Sequence, residues 1–183
     1  MKMPFDGLSL LDYAINSSLI ISNVVLQKQD KIGLFSFSKK VNNYVACERR
    51  NHQLGLILES LYNVETNYEE SNFGYLYGAV KQHIRQRSLL MLFTNFDSMD
   101  ALERQLGYLR AINKSHLLIV VFFKNTEILN LAKEKTSTQS EVVKKIIAQK
   151  FIYDKEQMVL ELSKYGINSI LTCLLYTSDA ADD

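Results

Sequence analysis

The chain has 183 residues, enough for one domain of common size whose core needs no disulfide or metal to hold it. Apolar residues make up 47% and charged residues 22%, which excludes disorder and coiled-coil or collagen-like sequence. With 21 basic and 20 acidic residues the net charge is +1, so no overall field favours nucleic acid or an anionic membrane.

Two cysteines, Cys47 and Cys173, make no disulfide framework and suit a reducing compartment. The longest strictly apolar run, Leu117 to Phe123, falls far short of the roughly 20 residues of a membrane span. Met1 to Asp6 lacks the apolar segment of a signal peptide. One proline and seven glycines leave few breaks, so long regular elements are expected.

In chain order, Ser9-Leu10-Leu11-Asp12 has capping-box spacing and predicts a helix to about Gln27. Leu11, Ile15 and Leu19, with Ala14, Ser18, Ile21 and Val25, are expected to form its buried face. Ile32 to Phe37 and Val41 to Cys47 read as strands joined by Ser38-Lys39-Lys40. Helices follow near Gln53–Tyr62 and Phe73–Arg85, separated by an acidic loop from Glu65 to Asn72. Leu89 to Phe93 and Leu117 to Phe123 are continuous apolar runs, which predicts adjacent parallel strands, nearly fully buried, around a helix from Ser98 to Ile112. Ser137 to Tyr165 has helical spacing through Val142, Val143, Ile146, Ile147, Met158, Val159 and Leu162, with a break expected near Tyr153-Asp154. Gly166 is placed as a left-handed cap before a last strand, Ile167 to Leu171. The alternation predicts an α/β domain with a mainly parallel, Rossmann-like sheet flanked by helices, opening on a helix with no strand before it.

Most chemical motifs are missing. No G-x-G-x-x-G follows a strand, and Gly74-Tyr75-Leu76-Tyr77-Gly78 lies within a helix, where close packing explains it. His52, His83 and His116 are dispersed, no G-x-S-x-G is present, and nothing near Cys47 activates a thiol. The basic pairs Lys39-Lys40, Arg49-Arg50, Arg85/Arg87 and Lys144-Lys145 read as solvated faces. Glu69-Glu70 and Asp97/Asp100 are candidate acid/base pairs, against which Asp97 or Ser98 is expected to cap the following helix.

One constellation remains. Thr94-Asn95-Phe96-Asp97 leaves the carboxyl end of an apolar strand, where open parallel sheets bind ligands, and Ser71 opens a neighbouring helix. Hydroxyl and carboxylate oxygens are hard ligands of the kind Mg²⁺ accepts.

The blocks Ser9 to Asn16, Gln29 to Ser38, Gln53 to Leu61, Ser71-Asn72-Phe73, Arg87 to Asp97 and His116 to Val121 together resemble the domain of unknown function 58 family. That family carries a von Willebrand factor type A-like domain, and the resemblance spans about residues 7 to 172. It implies a metal-ion-dependent adhesion site built from D-x-S-x-S, a later Thr or Ser, and a later Asp. Ser71 matches the later hydroxyl and Asn95 the later Asp, leaving Asp97 as the nearest carboxylate in its loop. A neutral Asn is a poorer cation ligand than a carboxylate, and D-x-S-x-S has no counterpart, so the metal site Ser71, Asn95, Asp97 is expected to be degenerate.

The resemblance therefore implies an incomplete domain over 1–172, lacking its N-terminal central strand, that folds poorly and binds no Mg²⁺ at millimolar concentration. Ile32 to Phe37 would lie beyond the missing strand. Residues 173–183 resemble adapter read-through on a fragmentary metagenomic gene and are expected to be a non-native tail.

The function implied is a non-enzymatic bacterial protein-interaction module, an adaptor or co-chaperone of a MoxR-type AAA+ ATPase. It would use no cofactor and no nucleic acid, and would sit in the cytoplasm with the full-length parent anchored to a membrane. Mg²⁺ would belong only to that full-length protein. The alternative is a Rossmann-like, metal-dependent, phosphate-handling hydrolase using Asp97 and the loop after Glu70.

Overall fold

A computed structural model describes residues 4–5, 8–50, 52–62, 64, 71–124, 126–133 and 139–173. The chain divides into two compact units, one of residues 1–88 with 107–117, the other of 89–106 with 118–183.

In the first unit a two-residue ladder pairs β1 (Pro4–Phe5) with β2 (Leu8–Ser9), so the helix is not the first element. Helix α1 (Leu10–Gln27) starts with the expected capping box. The Ser9 hydroxyl accepts from the Asp12 amide at 3.2 Å, and the Asp12 carboxylate accepts from the Ser9 amide at 2.7 Å. Its buried residues are Leu10, Tyr13, Ala14 and Ser22, whereas Leu11, Ile15 and Leu19 are only half-buried. Buried Ser22 is tolerated because its hydroxyl donates back to the Ser18 carbonyl at 2.6 Å. The helix ends in a Schellman motif: Asp30 donates to Val25 and Gln29 to Leu26, with Gln29 left-handed at φ 62°.

β3 (Ile32–Phe37) and β4 (Val41–Glu48) form an antiparallel hairpin, closed by the Ser38 amide donating to the Lys40 carbonyl. The register shifts between Ile32 and Leu34, and there only glycine fits. A Cβ at Gly33 would lie 2.7 Å from the Val45 carbonyl oxygen. Helix α2 (Gln53–Tyr62) secures the same place, since buried Gln53 donates its amide to both the Ile32 and Ala46 carbonyls at 2.7 Å. Helix α3 (Phe73–His83) is capped by Asn72, whose side chain accepts from Gly74 and Tyr75. Gly74 packs closely against Tyr108, as expected, whereas a Cβ at Gly78 would meet nothing within 4 Å, so close packing accounts for only the first of the two glycines. The His83 ring lies tilted against Tyr44, centroids 4.3 Å apart, and buried His116 accepts from the Ser88 amide at 3.4 Å.

The second unit holds β5 (Leu89–Phe93), β6 (Leu117–Lys124, from Leu118 onward) and β7 (Asn168–Cys173), a parallel sheet in the order β5-β6-β7. Helix α4 (Met99–Ser115) contributes its first half here and its second half to the other unit. Helices α5 (Thr126–Lys133) and α6 (Gln139–Lys164) pack on each other within the crossover from β6 to β7. β6 is central, and Leu118 and Val120 to Phe123 are buried. β5 departs from the expected full burial: only Leu92 is buried, and Leu89 is 56% exposed. It has a hydrogen-bonded neighbour on one side only among the described residues, so one long edge has no partner strand there.

α5 lies in a stretch for which no helix was predicted, and α6 runs on through Tyr153-Asp154 without the expected break. No glycine or proline interrupts residues 139–164, so no breaker acts there. The helix stops at Gly166, left-handed at φ 68°, with Ile167 donating to Leu162 and Gly166 to Ser163. The fold is mixed α/β with a small parallel sheet, and no helix among the described residues is long and apolar enough to cross a membrane.

Candidate functional site

The site forms where β5 ends. The Thr94 amide donates to the Val121 carbonyl at 3.3 Å and carries the strand pairing one residue further. The chain then turns outward through Asn95-Phe96-Asp97. Phe96 is buried and meets the Phe122 ring edge-on at 6.1 Å, which fixes the loop against the sheet. Ser98 closes the turn, its hydroxyl accepting from the Ala101 amide at 3.2 Å. Of the two capping candidates it is therefore Ser98, not Asp97, whose side chain caps α4, and Asp97 stays exposed.

Into this loop reaches a residue that motif reading missed. Lys155, on α6, is 3% exposed. Its ammonium donates to the Asn95 side-chain oxygen at 2.5 Å and to the Phe96 carbonyl. It also lies 5.0 Å from the centre of the Phe151 ring and 5.8 Å from that of Phe122. Burial pulls its pKa down to about 8, against the opposing pull of the Asp97 and Asp154 carboxylates. The signal was present in the sequence: Lys155, Met158 and Leu162 share one helical face, and a lysine interrupting an apolar line needs a partner.

The predicted site residues fall in separate units. Asn95 and Asp97 belong to the second, while Ser71 belongs to the first, half-buried just before the Asn72 cap. Glu69, Glu70 and most of the acidic loop lie outside the described residues, as do 174–183. Among the described residues no three His, Cys, Asp or Glu side chains are grouped to hold a metal.

The donor set at the β5 loop also does not fit Mg²⁺. Its two inward oxygens, from Asn95 and Phe96, already accept from a buried positive charge, and a divalent ion beside them would be repelled. Nor is the lysine arranged as a nucleophile. It is closed off from solvent and has both acceptors engaged, so it clamps α6 to the end of β5. Elsewhere, the first unit has a shallow open depression lined by Asn42, Asn43, Tyr44, Leu56, Glu59 and Ser60. Its polar lining is one carboxylate, two amides and the hydroxyls of Tyr44 and Ser60.

Comparison of the chain with protein-family models, curated proteins and solved structures returns no match.

Proposed function

We propose that this chain is a non-enzymatic protein-interaction module of the von Willebrand factor type A-like class, similar to the domain of unknown function 58 family. It works as an adaptor or co-chaperone with a MoxR-type AAA+ ATPase in the cytoplasm. The observation that carries this reading is the Lys155 clamp. The loop that would present hard oxygen ligands in a catalytic or adhesion-type centre gives them to the chain's own ammonium. An adaptor asks only a shaped surface of this loop, and the clamp is compatible with that. Asn95 in place of an acid fits the same reading, since a neutral amide oxygen partners an ammonium without adding a buried negative charge.

The test is co-expression of the full chain with a MoxR-type ATPase, followed by co-purification and measurement of ATP hydrolysis. Stable co-purification with a changed ATPase rate is expected. Mg²⁺-dependent cleavage of a phosphate ester by the chain alone, abolished by Asp97→Ala, would overturn the reading in favour of a hydrolase.

A further inference from the structure

We draw no further inference here: the strongest candidate, the exposed apolar face that Val142, Val143, Ile146 and Ile147 make on the first half of α6, carries none because nothing in the structure shows what covers it.

Discussion

The two halves of α6 share one helical rod and a similar number of apolar residues, yet they do opposite things. In the second half, Lys155, Met158 and Leu162 are buried, and the one charge among them is satisfied by Asn95 and Phe96. In the first half, Val142, Val143, Ile146 and Ile147 are exposed while Ala148, on the other side, is buried. Helical spacing shows that residues share a face; it does not say whether anything lies against that face. The second half has the sheet and the β5 loop to pack on, while Val142, Val143, Ile146 and Ile147 of the first half stay exposed.

Substitutions at matched positions test the contrast, and the largest effect belongs to the packed half. Leu162→Ala, at a fully buried position, is expected to cost about 3–4 kcal/mol in chemical denaturation. Ile147→Ala, 64% exposed, should change stability by no more than about 0.5 kcal/mol. Equal losses at the two positions would erase the distinction.

The clamp comes next. Lys155→Ala removes the ammonium that the Asn95 and Phe96 oxygens accept from and leaves a gap beside Phe151, and is expected to cost about 3 kcal/mol. Lys155→Met keeps most of the volume and removes a buried charge, so about 1–2 kcal/mol is expected.

The pH dependence of the clamp has a definite sign. Folding lowers the lysine pKa from 10.5 to about 8, so between these values the unfolded chain binds more protons than the folded one. Burying the charge costs stability below pH 8, and that cost is relieved as pH rises toward 10.5. The stability of the natural chain minus that of Lys155→Met should therefore climb across pH 8 to 10.5 in equilibrium unfolding. A flat or falling difference would mean that Lys155 is not buried as a cation.

The smallest effect comes from the helix ends. α1 and α6 close with the same pair of capping hydrogen bonds, but α1 places Gln29 where α6 has Gly166, both at left-handed φ. Gln29→Gly is expected to raise stability by about 0.5–1 kcal/mol, and Gly166→Ala to lower it by about 1 kcal/mol, measured by thermal unfolding.

Much of this architecture was readable from residue order. The Ser9–Asp12 capping box, the strands at Ile32, Leu89 and Leu117 and the Gly166 stop are local signals, and local signals survive folding. The loop at Asn95–Asp97 was found from its place after an apolar strand. Its partner was not, because Lys155 is 60 residues away in sequence and only the crossover from β6 to β7 brings it to Asn95. Burial of β5 was overestimated for a related reason: an apolar run reads the same at the centre of a sheet and with a neighbour on one side only. The exposure of Ile146 and Ile147 is legible only once the partner of each helical face is known.

The central claim is that the cation at the β5 loop is the chain's own lysine. Nuclear magnetic resonance of the full chain labelled with ¹⁵N-lysine tests it at the atom concerned. The account predicts one ammonium signal, lost in Lys155→Met, whose protons exchange slowly with water and which titrates near pH 8. That signal should be unmoved by millimolar Mg²⁺ and unbroadened by Mn²⁺. A Lys155 signal that titrates above pH 10 with the surface lysines, or that Mn²⁺ broadens saturably, would contradict it.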